Sequence, residues 1–557
     1  MRLLVHRSRP LLLIVLMLTA FAAPGRAAWS TDGGPVTTAP QSQNQPVVAG
    51  DALGGAFMAW VDGRSGFNTD IYGVRWSAAG VTQAGWTPGG SNVTAITCAK
   101  YNPVMIPDGL GGALLAWEDN RCTGYTNIYA RRVSATGVAA GGWPDNGIRL
   151  VATTTNQTTP LIASDGAGGA FITWREAVNN GDVLIQHLTA TGALASGWTS
   201  AGVILATGSA SQSPGAIAPD GAGGVFVAWQ EGPSGNTDVR LQHLVAAGTR
   251  AAGFADGGNV VCDAVGDQTV NSMVADGAGG VLLAWTDRRG VDDDATVQRV
   301  NGDGTVATGF PVNGRVLCNA TGQQTKVRLQ GDGASGAFVL WEDRRNLGAD
   351  LYATHLLADG TVASGFVPNG NVVTSAANDQ TNPAMCGDGS GGAFVVWEDQ
   401  RNGNIDVYAT RLTADGTLPA GWTANGTLVC GAVQDQILPQ IAAAAGGTAF
   451  VVWTDTRNLA TSSTDVYAHH LLANGPEQVR PTGLTALHHD GQTFLTWNPP
   501  PGTGWKYRVY YSSSPIATDA DLNTATLLGS VGDSRSEEHT SELQSHSDLV
   551  CRLLLEK

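Results

Sequence analysis

Short hydrophobic runs recur along the chain about every 56 residues, and each run ends in a tryptophan. The eight tryptophans are Trp60, Trp117, Trp174, Trp229, Trp285, Trp341, Trp397 and Trp453. Apolar runs of this length between turn residues are typical of buried β-strands. Each repeat holds four such segments: one after Gln-x-x-Pro, one ending at the tryptophan, one beginning Asp-Val-Tyr, and one after Gly-Trp or Gly-Phe. Four strands repeated eight times predict an all-β, eight-bladed β-propeller.

A second marker, an aromatic residue followed by Gly-x-x-Val, indicates how the ring closes. It occurs seven times, at Trp86, Trp143, Trp198, Phe254, Phe310, Phe366 and Trp422. The eighth repeat lacks it, but Trp29, Gly33 and Val36 have the same spacing before the first repeat. We therefore expect the N-terminal segment to supply the outer strand of the last blade, which removes the free sheet edges of an open ring.

The centre of each repeat resembles a known propeller family. In the seventh copy, residues 388–416, it contains Asp-Gly, an apolar strand ending at Trp397, an Asp-x-Arg loop and Asp-Val-Tyr. This pattern resembles the TolB-type propeller repeat over about 25 residues of each copy. The resemblance implies the fold and no particular activity.

The N-terminal residues 1–27 have the pattern of a secretory signal peptide. Arg2, Arg7 and Arg9 precede an apolar stretch, and Gly25 and Ala27 suit a cleavage site. We therefore expect a bacterial protein that is secreted, extracellular or on the cell surface, with a propeller at residues 28–478. No membrane insertion is expected after the signal is removed.

The sequence changes character after the propeller. Residues 480–534 resemble the first strands of a fibronectin type III domain, with Trp497 and Tyr507 at core aromatic positions. They are too few for a complete sandwich, so we expect a truncated domain, a partial β-sandwich. Residues 535–557 resemble the translation of a sequencing adapter, and we expect this tail to be an artefact and disordered.

The chain carries a formal charge of −16, from 31 basic and 47 acidic residues. Nucleic acids and anionic membranes are bound largely through Lys and Arg, so this charge argues against both as partners. An extracellular glycan or protein is the expected partner class, and the protein is expected to be a monomer.

Acidic residues stand two positions after every repeat tryptophan, and an arginine follows two positions later in six blades. These six pairs are Asp62 with Arg64, Asp119 with Arg121, Asp287 with Arg289, Asp343 with Arg345, Asp399 with Arg401, and Asp455 with Arg457. Blades 3 and 4 have glutamate in place of aspartate and lack the arginine. We predict partly exposed structural ion pairs, each stabilising the fold by only ~0–1 kcal/mol. The alternative is a ring of carboxylate sites for glycan hydroxyls or Ca²⁺.

Four histidines, His187, His243, His355 and His470, occupy one repeated basic position that is arginine in the other blades. Residues on different blades cannot converge on one metal ion, so we predict no metal site and no cofactor, with Ca²⁺ as the open alternative. Cys98 and Cys122 should lie at the same end of one blade, and we expect them to form a disulfide.

No nucleophile or phosphate-binding motif is present in the sequence. We therefore expect a non-enzymatic binding or adhesion propeller, with a polysaccharide hydrolase or lyase as the alternative. The most divergent loops, residues 175–181, 231–237 and 288–294, lie in blades 3 to 5 and are the first place to seek a specific site.

Overall fold

The computed structural model describes residues 29–477 except residues 67, 95, 97, 122, 123, 179 and 460–462, and it describes the backbone of several strands outside that range. The described residues contain no α-helix, and hence no helical segment able to cross a bilayer. Eight antiparallel sheets follow one another along the chain. Their first strands contact those of the neighbouring sheets, and the eighth contacts the first. The predicted eight-bladed β-propeller is confirmed.

Each blade has four strands, ordered from the inside of the ring to its rim. Blades 1 to 4 comprise Gln43–Gly50, Ala56–Asp62, Asp70–Trp76 and Ser91–Asn92; Lys100–Pro107, Ala113–Asp119, Asn127–Val133 and Ile148–Arg149; Gln157–Ser164, Ala170–Glu176, Asp182–Leu188 and Val203–Ala206; Ser211–Pro219, Val225–Gly232, Asp238–Leu244 and Asn259–Cys262. Blades 5 to 7 comprise Gln268–Ala275, Val281–Asp287, Asp294–Val300 and Arg315–Cys318; Gln324–Gly331, Ala337–Asp343, Asp350–Leu356 and Asn371–Thr374; Gln380–Gly387, Ala393–Asp399, Asp406–Leu412 and Thr427–Cys430. Blade 8 comprises Gln436–Ala444, Thr448–Asp455, Asp465–Leu472 and Gly34–Thr37, with the short strand Gly475–Pro476 beside its third strand.

The repeat tryptophans form the cores between the blades. All eight are fully buried. Trp285 of blade 5, for example, packs in one cluster with Phe226 and Val239 of blade 4. Burial of a large apolar side chain contributes about 1.5–3 kcal/mol, so one tryptophan per blade stabilises every contact between neighbouring sheets.

The first strand of a blade begins earlier than the sequence predicted. We expected it after Gln-x-x-Pro, but in blade 7 it begins at Gln380, which pairs with Asp399. The register then shifts before Ala384, because Asn382 has a φ of 52° and bulges out of the ladder. The Gln380 amide holds the preceding loop by donating to the carbonyls of Ala376 and Asn378.

The N-terminal segment completes the last blade. Gly34–Thr37 pairs antiparallel with the third strand of blade 8, with Gly34 opposite Ala468. Arg457 of that blade donates from Nη2 to the carbonyl of Asp32 at 3.0 Å. The equivalent arginines of five other blades donate to a carbonyl of their own blade. The predicted closure is confirmed, and one compact unit spans Asp32–Pro476.

Residues 1–31 and 477–557 form the second compact unit. Its strands are Leu3–His6, Thr482–His489, Gln492–Asn498, Lys506–Ser512, Thr526–Gly532, Leu543–Gln544 and Val550–Glu556. The strands expected for the fibronectin-like segment coincide with the second to fourth of these, and the fibronectin assignment stays a prediction. The tail expected to be disordered contains the last two strands, and its origin stays a prediction. The rest of residues 1–27 and 535–557 lies outside the described residues.

Candidate functional site

The repeated acids are engaged by their own blades. In blade 7, Trp397 Nε1 donates to Asp399 Oδ2 at 2.9 Å, and Arg401 donates from Nε and Nη2 to the two oxygens at 2.8 and 2.5 Å. The Asp399 side chain is 0% exposed. The predicted partly exposed pair is therefore wrong for the acid, because its partner tryptophan lies in the core between blades. Both carboxylate oxygens are occupied.

The arginines also connect neighbouring strands and blades. Arg401 Nη2 donates to the carbonyl of Asn425 before the fourth strand, and its guanidinium lies 4.0 Å from the ring centre of Tyr408. The same atom contacts Thr374 Oγ1 on the outer strand of blade 6 at 3.4 Å. The other five pairs repeat the contact to a carbonyl of their own blade, at Gly89, Asn146, Asn313, Asn369 and Asp32.

Blades 3 and 4 keep the bond from tryptophan without the arginine. Glu176 Oε2 accepts from Trp174 Nε1 at 3.2 Å and from the Gln157 amide at 2.9 Å. Glu231 Oε2 accepts from Trp229 Nε1 at 3.0 Å and lies 3.4 Å from Arg240 Nε. The longer glutamate therefore reaches other partners inside the blade.

Three cysteines take the place of a threonine beside the arginines. Arg345 and Arg457 donate to the thiols of Cys318 and Cys430, both at 3.1 Å. Burial raises the pKa of Cys318 to about 11 and that of Cys430 to about 12, which keeps these thiols protonated. Cys98 is disulfide-bonded, whereas Cys122 lies outside the described residues, so their pairing stays a prediction.

Three of the four histidines, His187, His243 and His355, contact aspartates at the opposite ends of their blades. His243 Nε2 is 3.0 Å from Asp220 Oδ2, and its Nδ1 is 3.1 Å from the carbonyl of Gly302 in the next blade. His355 has the same two kinds of contact. Across the described residues, no three His, Cys, Asp or Glu side chains are grouped so that they could hold a metal ion.

The divergent loops of blades 3 to 5 combine local contacts with hydrogen bonds to the next blade. Arg175 Nε donates to the carbonyl of Gln212, Thr237 Oγ1 donates to the carbonyl of Gln268, and the Gly322 N–H donates to Asp292 Oδ2. Arg288 forms an ion pair with Asp293 at 2.6 Å within its own loop. Burial, followed by the charges of Asp287 and Asp292, raises the pKa of the adjoining Asp294 to about 6, although Arg289 lowers it. These loops contribute no residue to the lining of the cavity in the central channel.

Replacement of Asp294 by asparagine is expected to raise the melting temperature at pH 8 and to leave it unchanged near pH 4. The unfolded carboxyl titrates near pH ~4, so ionisation in the folded state costs stability as the pH rises from ~4 through 6. Thermal melting at both pH values measures the effect. Asp303→Asn is the control: a hydrogen bond from Thr305 lowers the Asp303 pKa, so this variant should gain nothing at pH 8. Equal gains in both variants would contradict the prediction.

The central channel contains a cavity of about 320 Å³. Its wall belongs to the first strands of blades 1 to 4 and 8. The lining residues are Val47, Val48, Val104, Met105, Ile106, Leu161, Ile162, Ala216, Ile217, Gln440 and Ile441. Ten of these are apolar, and none is titratable. No motif in the sequence pointed to this surface.

Polar residues gather on the first strands of blades 6 and 7 and beside them. The Glu342 carboxylate accepts from the Asn382 backbone at 2.6 Å and from Lys326 Nζ at 2.9 Å. The Asn382 amide donates to Glu398 Oε2 at 2.7 Å, and Glu398 Oε1 accepts from the backbone of Leu438 at 2.7 Å. Each glutamate thus ties its own blade to the next one.

No model of a known protein family matches the chain, and no curated protein matches it. The resemblance to TolB-type repeats therefore stays a prediction.

Solved structures share the propeller architecture at low identity. One is the β-propeller domain of the trilobed protease of Pyrococcus furiosus, 9% identical, covering 70% of this chain and 98% of its own, with a TM-score of 0.40. Another is an α-L-arabinanase of Penicillium chrysogenum, 10% identical, covering 60% and 98%, with a TM-score of 0.32. The NanB sialidase of Streptococcus pneumoniae is 8% identical, covering 81% and 71%, with a TM-score of 0.30. At these values they assign neither a ligand nor an activity to this chain.

Proposed function

We propose that the protein is a secreted, non-enzymatic binding propeller that holds its ligand in the central channel. The observation that carries this proposal is a contrast between two sets of residues. The repeated aspartates of six blades are buried and hydrogen-bonded to tryptophan and arginine, whereas the channel wall surrounds about 320 Å³ of space. Ligand sites are typically concave and mostly apolar, with volumes from about 300 Å³ upward.

The channel wall favours binding over catalysis. General acid–base chemistry needs a carboxyl group, an imidazole or a similar group within hydrogen-bonding reach of the reacting atom. Glycoside hydrolysis needs two carboxyl groups on opposite sides of the scissile bond. The residues that line the cavity carry neither, and their only polar side chain is the amide of Gln440.

A second candidate function is polysaccharide hydrolysis or lysis. It is favoured by the two glutamates of adjacent blades, Glu342 and Glu398, which both contact Asn382. The solved propellers above include a sialidase and an arabinanase. In this chain, however, both carboxylates already accept hydrogen bonds from the next blade, so catalysis would require those contacts to open.

Titration of the full chain with 1-octanol tests binding in the channel. We expect one molecule to bind per chain, because the apolar wall removes the alkyl chain from water. Val104→Trp fills the cavity and should weaken binding about tenfold or more. The control Val372→Trp changes an exposed position on an outer strand and should leave binding unchanged. Binding that is absent, or equal in all three proteins, would refute the channel site.

Assays on arabinan and 3′-sialyllactose separate the two candidate functions. We expect the full chain to release no reducing sugar and no sialic acid. If either product forms and Glu398→Gln abolishes its release, the second candidate function replaces the first. Arg344→Gln, which removes a charge at a 42% exposed side chain, serves as the control for nonspecific loss.

A further inference from the structure

One register position of the first strands places a residue from every blade at the channel. Each of these residues pairs with the residue that precedes the repeat tryptophan on the second strand. They are Val47, Val104, Leu161, Ala216, Ser272, Arg328, Ala384 and Gln440. Seven of the eight are uncharged, and five line the cavity. Arg328 is the one charged member of this set.

The Arg328 guanidinium has few partners. Its Nε donates to the carbonyl of Pro383 in blade 7 at 3.2 Å, so the side chain extends along the inner surface from blade 6 towards blade 7. Among the described residues, no carboxylate forms an ion pair with Arg328, and its two Nη groups have no acceptor. Glu342, the acid that acts on it electrostatically, is bonded instead to Lys326 and Asn382.

The Arg328 guanidinium is partly removed from water, and its charge is only partly compensated by nearby anions. Burial lowers the pKa of Arg328, and the charge of Glu342 opposes this shift only in part. A guanidinium stays protonated at any physiological pH, so the charge persists. An unpaired cation that is half-buried loses part of its hydration, and an anion that pairs with it offsets that loss.

The next register position of the first strands is apolar in every blade. Its residues are Val48, Met105, Ile162, Ile217, Met273, Leu329, Met385 and Ile441. Five of these residues, Val48, Met105, Ile162, Ile217 and Ile441, line the cavity, whereas Met273 and Leu329 are buried in the cores between blades. A small inorganic anion would satisfy the guanidinium but would leave these five residues in contact with water. A neutral apolar molecule would cover the five residues but would leave Arg328 unpaired. A molecule that combines an acidic group with an apolar body satisfies both.

We propose that the channel binds an amphiphilic organic anion, whose carboxylate or sulfonate pairs with the Nη groups of Arg328. Its apolar body lies against the five members of this position that line the cavity: Val48, Met105, Ile162, Ile217 and Ile441. This inference rests on the proposed channel site and adds the class of ligand. The planar guanidinium matches such acidic groups in a bidentate arrangement. Ala384 and Gln440, next along the same register position, provide a short side chain and an amide beside the anion.

Titration of the full chain at pH 8 with octanoate, 1-octanol and inorganic sulfate tests the class of ligand. We expect octanoate to bind about 10- to 100-fold more tightly than 1-octanol, the range of a hydrogen bond to a charged group, and sulfate to bind more weakly than either. Arg328→Gln should remove the preference for octanoate and leave the affinity for 1-octanol unchanged. Arg328→Lys keeps the charge and should retain part of the preference.

Two further variants test whether a lost preference for octanoate comes from misfolding. Ala384→Asp leaves Arg328 in place but sets a carboxylate beside its guanidinium, and it should also remove the preference for octanoate. Arg344→Gln removes an exposed charge from the same blade and should change nothing. The melting temperature of each variant verifies that it is folded.

The possible outcomes separate this inference from the channel site itself. If 1-octanol binds and Val104→Trp blocks it, but octanoate binds no better or Arg328→Gln keeps the preference, the ligand class is wrong and the channel site stands. If octanoate binds tightly but Val104→Trp has no effect on it, the anion lies elsewhere and this inference fails. Absence of binding by both alkyl ligands refutes the inference together with the channel site.

Discussion

Replacement of Asp399 by alanine is expected to lower the free energy of unfolding by about 3–5 kcal/mol. The side chain is fully buried and accepts hydrogen bonds from Trp397 Nε1, from the Arg401 guanidinium and from the Arg401 backbone. Its removal leaves an indole N–H without a partner and an arginine, 19% exposed, without its counter-charge. Urea unfolding followed by tryptophan fluorescence measures the loss.

Blade 4 supplies the matched comparison for this prediction. Glu231 accepts the equivalent bond from Trp229, but the loop arginine is replaced by Pro233. Glu231→Ala should therefore cost only about 1–2 kcal/mol, because it leaves the indole donor unpaired but breaks only a longer, partly exposed contact with Arg240 at 3.4 Å. A loss below about 1 kcal/mol in Asp399→Ala would instead match the exposed ion pair that the sequence suggested.

Substitution of Gly33 by alanine is expected to lower the free energy of unfolding by about 2–4 kcal/mol. Gly33 has a φ of 74°, and a Cβ there would lie 2.3 Å from Trp453 Cη2 and 2.7 Å from the carbonyl oxygen of Ala468. Neither neighbour can move freely, because the ring of Trp453 is fully buried and Ala468 pairs with Gly34. Hydrogen exchange of Gly34–Thr37 should become faster as the strand detaches from blade 8.

Gly257 separates the cost of backbone strain from the cost of the clash. Its φ is 73°, but a Cβ there would have no atom within 4 Å. Gly257→Ala should therefore cost only about 1 kcal/mol, the penalty of a left-handed conformation, and should leave exchange at Gly34–Thr37 unchanged. Similar losses in the two variants would show that Trp453 does not limit the space at Gly33.

The ring could be predicted from the sequence because the same pattern of strands and turns occurs eight times. The N-terminal position of Trp29, Gly33 and Val36 was enough to predict closure, since a closed ring has to complete its last sheet. The burial of the acids was not predictable in the same way. It depends on the indole N–H of Trp397 meeting Asp399 inside the blade, and spacing along a strand does not show which side of the loop faces the core.

The residues that line the channel could not be identified from the sequence, for a different physical reason. A bulge in each first strand shifts the register, after the second residue in six blades, after Pro214 in blade 4 and after Val270 in blade 5. The alternation of side chains along the strand therefore does not continue through it. The ring of residues that contains Arg328 and Gln440 appears only when the pairing with the second strand is known. Once the register is aligned, the signal in the sequence is a single arginine among uncharged residues.

The pairing of the N-terminal strand Gly34–Thr37 with blade 8 imposes an order on folding. Asp32 and Arg457, which hydrogen-bond to each other, are 425 residues apart in the chain. During synthesis from the N-terminus, Gly34–Thr37 precedes all other propeller strands, yet its partner Asp465–Leu472 exists only when the eighth blade has followed. Blades 1 to 7 hold their four strands within short stretches of sequence and can assemble in succession. The first propeller strand to emerge is therefore the last to be paired, and we expect ring closure to be the final step of propeller folding.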